Sequence, residues 1–453
     1  MARVTTDLQE APIAEGYLPT DLPPFLTTFM SGWQVLIAVF PATVLVAILT
    51  KFDVGTTLLT SGLSTIIAVL ISKRRIPFYY GSSFSYIAAV GAVVASNTNV
   101  AQGVRIAQGG IVASGILQIV VGLAVVAVGK QLIDKILPPI LTGSVAIVIG
   151  MSLSKVALDM AVGEKMFDVA LVTLIVTIMA SVYLRRVKFW GLFPILIGAV
   201  VGYFYAIAFH HGQMPLDIIG KAAILRMPPI MMPAFSWAPI LAIAPMALAT
   251  IPETTAHLYQ LSLYVDLEAE RQGRPKQGVN KLLGQAVAFV GLSDVINGLF
   301  GGPAGTNYGE ANATMAITKN YASTAVLAAG IFAVCLGFIG TLAAVIQTIP
   351  QAVIGGLSIY LFGVIGKQGI ALITSERVDL TDTRNLAIGA LVLVIGIGGS
   401  FFPGGNLPLA FGDTVYNLPA IATASVTGIL LNLFFQYVPG AGGPAAAAPS
   451  QAD

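Results

Sequence analysis

Two ionisable residues sit in the stretch IPETTAHLYQ, Ile251–Gln260, within a run that is otherwise apolar from Phe235 onward. Glu253 and His257 are four positions apart, so a helix presents them on one face. Burial favours the neutral acid, and a neighbouring imidazolium favours the carboxylate. A group balanced between those influences takes up and releases a proton near physiological pH, which is the chemistry of a proton carrier. The competing reading is an internal ion pair that only locks two helices together.

A second acid, Glu310, follows GGPAGTNYG, while Ser82, Ser83 and Phe84 hold a similar place in YYGSSFSYIA. A helix starting at Glu310 leaves about four backbone N–H groups unpaired at its positive dipole end, and one starting at Ser82–Ser83 does the same. Two such ends facing each other offer donors to a small molecule with carbonyl oxygens. Glu310 adds an acceptor for ring N–H groups, and Phe84 adds an aromatic face. Against this, an acid in a first turn also serves simply to cap its own helix, and a phenylalanine more often packs than stacks. His210 and His211, at the polar end of another run, read as interfacial.

The elements that carry these residues follow from composition. The chain has 453 residues, 56% hydrophobic and only 10% charged, against about 25% charged in soluble domains. Apolar runs of about 20 residues, long enough to cross a bilayer, recur from Gly32 to Phe435. An all-α polytopic membrane protein is expected. A net charge of +2, with no basic cluster beyond SKRR, gives no reason to expect a nucleic-acid partner. The single cysteine, Cys335, excludes a disulfide framework and a cysteine metal site. No H-E-x-x-H or Cys/His cluster is present, so neither a metal nor a cofactor is expected, and Glu253–His257 without a nearby nucleophile makes a poor hydrolase.

Fourteen segments are predicted, near 33–50, 56–72, 82–96, 106–128, 135–153, 167–184, 189–209, 236–261, 282–300, 309–317, 323–347, 351–372, 384–401 and 415–436. The third and tenth are too short to cross about 30 Å of hydrocarbon. Pro245 and Pro252 predict a kink in the eighth. With the N-terminus inside, loops after even-numbered segments hold sixteen Lys and Arg and those after odd-numbered segments hold six. The positive-inside rule then puts both termini in the cytoplasm of a multi-pass protein of the cell's inner (plasma) membrane. Residues 1–30 form a cytoplasmic N-terminal segment without a signal-peptide pattern, and 438–453 a disordered cytoplasmic tail.

The two short segments resemble each other. Tyr79–Ala88 and Asn307–Ala316 share Tyr-Gly (Tyr308-Gly309 in the second) before small and polar residues, and each precedes a proline-then-glycine element, LPPILTGSVAIVIG and IPQAVIGGLSIYLFGVIG. The pattern predicts two seven-segment repeats, 31–212 and 235–437. An odd number per repeat inverts the second, and matched interrupted segments of inverted repeats point to a transporter's binding site.

At these residues the chain resembles the nucleobase–ascorbate transporter family of uracil and xanthine permeases, the uracil type most closely. The resemblance runs from Trp33 to Phe435 and includes PATVLVAILTKF, IPFYYGSSFSYI, TIPQAVIGGLSIYLFGVIGKQGI and the Glu-x-x-x-His of the eighth segment. It implies a core domain of segments 1–4 and 8–11 and a gate domain of segments 5–7 and 12–14. Short strands would lead into the half-helices of segments 3 and 10, and the family suggests a homodimer. Base-binding positions fall on Phe84, Glu253, Gly309 and Glu310, with Ser83 beside them. His257 and Ser358 fall on positions that support the proton-linked acid, and Tyr308 on a supporting one.

The chain departs from the family at Ala311-Asn312-Ala313, where Asn-x-Gly is usual and Asn312 supplies an amide one position late. It also departs at Gln34-Val35, where Gln-His is frequent, and at Phe362, where tyrosine is common. The implied function is proton-coupled symport of uracil or a related base by alternating access. A xanthine-type purine permease and an inorganic-anion carrier of the same architecture are the alternatives. Xanthine-type members tend to carry an acid at the position of His257 and a glutamine at that of Glu310, and an anion site would favour a cation where Glu310 stands.

Overall fold

The computed structural model describes residues 16–129, 135–163, 165–184, 187, 190–411 and 414–438. All but Val438 of the expected tail therefore lies outside the described residues, as do residues 1–15 of the N-terminal segment. Helices lie at each predicted segment of the first half: α1 (Phe25–Thr50), α2 (Val54–Ile71), α3 (Ile87–Ala95), α4 (Val100–Val128), α5 (Pro139–Ser152), α6 (Ser154–Gly163), α7 (Phe167–Tyr183) and α8 (Pro194–His210). The second half continues with α9 (Trp237–Ile243), α10 (Met246–Arg271), α11 (Leu283–Phe300), α12 (Gly309–Thr318), α13 (Ser323–Gly337), α14 (Gly340–Gln347), α15 (Gln351–Ser375), α16 (Thr383–Leu393) and α17 (Ala420–Tyr437). Among the described residues nine helical stretches are long and apolar enough to cross a membrane, and four apolar helices are shorter.

Local chemistry sets several helix starts. Asp53 caps α2 by accepting the Thr56 N–H at 2.9 Å, and Asn99 caps α4 by accepting the Ala101 N–H at 2.9 Å. Pro139 and Pro194 open α5 and α8, where a missing N–H costs nothing.

Four expectations are corrected. Helix α1 starts at Phe25 rather than Trp33, because no charge or proline interrupts FLTTFMSG after Pro24. The eighth segment is broken at Ala244–Pro245 into α9 and α10, while Pro252 stays inside α10. The eleventh ends at Gly337, and α14 is a separate short helix. A hairpin of β3 (Asn406–Phe411) and β4 (Thr414–Pro419) precedes α17, where the sequence predicted only the end of a loop and the start of a helix.

The other two strands stand where the resemblance expected them. β1 (Tyr80–Ser82) and β2 (Gly305–Asn307) pair antiparallel, with Tyr80 opposite Asn307, Gly81 opposite Thr306 and Ser82 opposite Gly305. β1 leads through a 3₁₀ turn, Phe84–Tyr86, into α3, and β2 leads into α12. Close-packed glycine seams join several of the helices. A Cβ on Gly115 of α4 would meet the Gly291 carbonyl of α11 at 2.5 Å, and one on Gly291 would meet the Gly115 carbonyl at 2.5 Å. Gly62 of α2 faces Gly330 of α13 in the same way, and Gly143 of α5 faces Gly369 of α15. Small residues let membrane helices approach backbone to backbone.

Loops sort to two ends. At one end, Arg226 pairs with Asp53 at 2.5 Å, the Arg226 N–H donates to the Phe338 carbonyl at 2.9 Å, and Arg105 Nε donates to the Met232 carbonyl at 3.0 Å. At the other, the N-terminal segment is strapped down rather than free. The Tyr17 N–H donates to the Lys319 carbonyl at 2.9 Å, the Tyr321 N–H donates to the Tyr17 carbonyl at 2.8 Å, and Leu18 is fully buried. Arg274 donates to both oxygens of Asp21, at 2.7 and 2.9 Å, and that guanidinium holds the Asp21 carboxyl below its ordinary pKa.

Candidate functional site

The ribbon brings the two interrupted segments together at their helix starts. The Ser83 N–H donates to the Ala304 carbonyl at 2.7 Å, and the Tyr308 N–H donates to the Tyr79 carbonyl at 3.1 Å, so the pairing extends one residue past each strand. Tyr308 also closes the junction with its side chain. Its hydroxyl donates to the Ser82 carbonyl at 2.7 Å and lies 3.4 Å from Thr43 Oγ1 of α1. Antiparallel strands that each run straight into a helix send those helices in opposite directions, with both N-terminal ends at the ribbon. Glu310 is in the first turn of α12. Ser83 is fully buried, and its hydroxyl has no partner among the described residues.

α10 supplies the second wall. Ser85 Oγ donates to Glu253 Oε2 at 3.5 Å, at the long limit of a hydrogen bond, which ties α10 to the turn after β1.

His257 departs from the sequence expectation. No ion pair joins it to Glu253; its Nδ1 instead lies 2.8 Å from the Asn307 carbonyl of β2. A carbonyl only accepts, so Nδ1 carries the proton, and in the neutral ring Nε2 is left as an acceptor. That Nε2 faces Gly309, where an added Cβ would come within 2.8 Å of it. The i, i+4 spacing puts both side chains on one face, but the ribbon is the nearer partner for the imidazole.

The remaining expected residues fall around this centre. Asn312 Nδ2 donates to the His257 carbonyl at 3.0 Å, so the displaced amide ties α12 to α10, while its Oδ1 is buried without a partner among the described residues. Phe84 meets Phe362 of α15 edge-on, with ring centroids 6.0 Å apart. Ser358, one turn earlier on α15, is fully buried, and its hydroxyl has no partner among the described residues. Hydrogen bonds and ring contacts thus join Phe84, Glu253, His257, Tyr308, Asn312 and Phe362 to a neighbouring element at the site, while Gly309 and Glu310 are placed there by the start of α12. Ser83 is held there by its backbone.

The sequence reading passed over another acid, Asp294 of α11, which is fully buried. It accepts the Gly305 N–H at 2.5 Å and the Tyr86 hydroxyl at 3.2 Å, bracing the first residue of β2 and the turn after β1 together. The signal was available, because an acid inside an apolar run marks a site by the rule that singled out Glu253 and Glu310.

The arrangement offers backbone donors from two helix starts, two carboxylates as acceptors or proton carriers, and an aromatic face. It suits a small planar molecule bearing both carbonyls and N–H groups.

A family model described as Permease family matches residues 26–405. The chain is 35% identical over 447 residues to the uracil permease of Bacillus caldolyticus, covering 96% of this chain and 95% of that one. It is 35% identical over 428 residues to the uracil permease of Escherichia coli (strain K12), covering 92% and 94%. Among solved structures, the transmembrane domain of the cyanobacterial bicarbonate transporter BicA superposes with a TM-score of 0.54 at 15% identity, over 90% of this chain and 96% of that domain. Murine Slc26a9, an anion transporter in the inward-facing state, superposes with a TM-score of 0.62 at 12% identity, over 92% of this chain and 69% of that one. These two likenesses concern the fold.

Proposed function

The chain belongs to the Permease family of xanthine and uracil permeases, and from that membership we propose that it imports a nucleobase, uracil, in symport with a proton. The observation that carries this reading is the pair of helix starts held by the β1–β2 ribbon, with Glu310 on one, Ser83 and Phe84 on the other, and Glu253 of α10 hydrogen-bonded to Ser85 beside them. Uracil has two carbonyls and two ring N–H groups. The amides near Ser83 and at Gly309 serve the carbonyls, Glu310 accepts from the ring N–H groups, and Phe84 covers a face. Glu253 carries the proton, and His257 holds the ribbon in register beside it. An anion as cargo is disfavoured by the two carboxylates at the site.

We assign the segments to fourteen crossings in two inverted sevens. Two features support the assignment. The α4–α11 and α2–α13 glycine seams are exchanged by the inversion, and the α5–α15 seam maps onto itself. Loops after odd-numbered segments meet at one end, and loops after even-numbered segments meet the N-terminal strap at the other, which together with the positive-inside bias supports a cytoplasmic strap. The core domain, segments 1–4 and 8–11, moves against the gate domain, segments 5–7 and 12–14, with Phe84–Phe362 at their boundary.

Uptake of labelled uracil into proteoliposomes tests the function. Accumulation driven by an inward proton gradient and abolished by a protonophore is expected; uptake indifferent to the gradient would remove the proton, and no uracil uptake would remove the substrate.

A further inference from the structure

One face of the ribbon carries polar groups that the proposed transport chemistry does not use. Ser61 of α2, Ser82 of β1, Ser293 of α11 and Asn307 of β2 come from four elements, and each is at most 1% exposed. The three hydroxyls and both amide atoms of Asn307 have no hydrogen-bond partner among the described residues.

These groups converge. Tyr80, Ser82, Gly305 and Asn307 lie on the same face, because strand side chains alternate and Tyr80 opposes Asn307 as Ser82 opposes Gly305. Gly305 identifies what that face looks toward: a Cβ there would come 2.5 Å from Ser293 Oγ and 3.1 Å from Asn297 Nδ2. From α2, Ser64 Oγ donates to Asn297 Oδ1 at 3.0 Å, and Thr65 Oγ1 accepts the Tyr80 N–H at 3.0 Å. Ser61 is one turn before both, on the same side of α2.

We propose that this face of the ribbon closes a buried chamber that binds ordered water. Unpaired polar groups buried in a membrane protein have no bulk solvent to turn to, and nearly all such groups in folded proteins are bonded. A buried water typically makes about three hydrogen bonds to groups of this kind. The chemistry of Asn307 selects water over a cation. Its Nδ2 needs an acceptor and its Oδ1 needs a donor or a positive charge; a metal ion serves only the oxygen, whereas water serves both. The chamber uses none of the proposed base-binding side chains. It supports them through Asn307, whose side chain it anchors and whose carbonyl takes the His257 proton.

Three measurements on the full-length protein in nanodiscs test this. Hydroxyl-radical labelling generated by X-ray radiolysis, read by mass spectrometry, reports residues beside bound water. Tyr80 should be modified several-fold faster than Tyr86, which is equally buried but has its hydroxyl bonded to Ser114 at 2.6 Å. Ser61→Ala and Ser293→Ala should each lower Tm by about 1–3 °C, since each removes a bond to water. Melting in sodium chloride and in choline chloride should coincide. Tyr80 modified no faster than Tyr86, a Tm raised by either alanine (the sign of a dry, unpaired hydroxyl relieved), or stabilisation specific to sodium would each overturn the proposal.

Discussion

Gly309→Ala isolates one contact on which the site depends. The new methyl carbon would start 2.8 Å from His257 Nε2 and 3.2 Å from its Cδ2, against the roughly 3.5–4.0 Å at which heavy atoms pack comfortably. The imidazole cannot simply retreat, because Nδ1 is bonded to the Asn307 carbonyl at 2.8 Å. Nor can α12 move freely, since Asn312 ties it to the His257 carbonyl. Either the His257–Asn307 bond lengthens or the start of α12 shifts, and both displace the donors proposed to meet the base. Overpacking of this kind costs about 1–3 kcal/mol. If that cost falls on the bound geometry, uracil affinity drops roughly 5- to 150-fold. Calorimetric titration of purified protein with uracil measures it, with Tm recorded in parallel. The control is the same substitution in a His257→Ala background, where the methyl has no ring to strike. There its effect should shrink to within about 0.5 kcal/mol, the spread expected of independent sites. Native-like binding by Gly309→Ala, or an equal loss with and without the imidazole, would refute the steric reasoning.

Glu310→Ala should weaken uracil binding roughly 10- to 150-fold, the value of a hydrogen bond to a charged partner. It should cost a base methylated at the contacting nitrogen much less, and equal losses in a titration of both would mean that Glu310 only caps α12. Glu253→Gln should leave binding measurable yet abolish accumulation against a gradient in proteoliposomes; uptake still driven by a proton gradient would move the coupling residue elsewhere. The Asp21–Arg274 clamp should make stability pH-dependent. The folded carboxyl titrates below its ordinary range, so the contribution is complete above about pH 4 and is lost as pH falls through the lowered pKa. Melting curves taken down the pH scale should show this loss in the native protein and a smaller one in Asp21→Asn. A reporter fused at the C-terminus should be active only in the cytoplasm, and activity on the opposite face would overturn the segment count.

Much of this was legible in the chain because lipid is a demanding solvent. Apolar runs between charged loops located the helices, and the rarity of acids inside them drew attention to Glu253 and Glu310. The interrupted segments also announced themselves, since runs as short as those after Ser82 and Gly309 cannot span hydrocarbon as single helices. Asp294 was equally available and was overlooked. Its companion Tyr86 was not, because a tyrosine in an apolar segment carries no mark of having an acid for a partner.

What the sequence alone determined is therefore a set of local properties: which stretches are helical, which loops carry the positive charge, and which side chains are too polar to be buried without purpose. The tertiary structure decided the pairings. It turned His257 from Glu253 to the Asn307 carbonyl, fastened the N-terminal segment across the ends of α10 and α12, ended α13 at Gly337 and set the Ser82–Gly305 register. Helical periodicity fixes which residues share a face. It does not say which of several nearby acceptors a side chain will reach, because that depends on backbones brought together from distant parts of the chain. Here residues 80 and 307, far apart in the chain, meet as partners in one ribbon, in a bundle whose helices glycine contacts let pack closely.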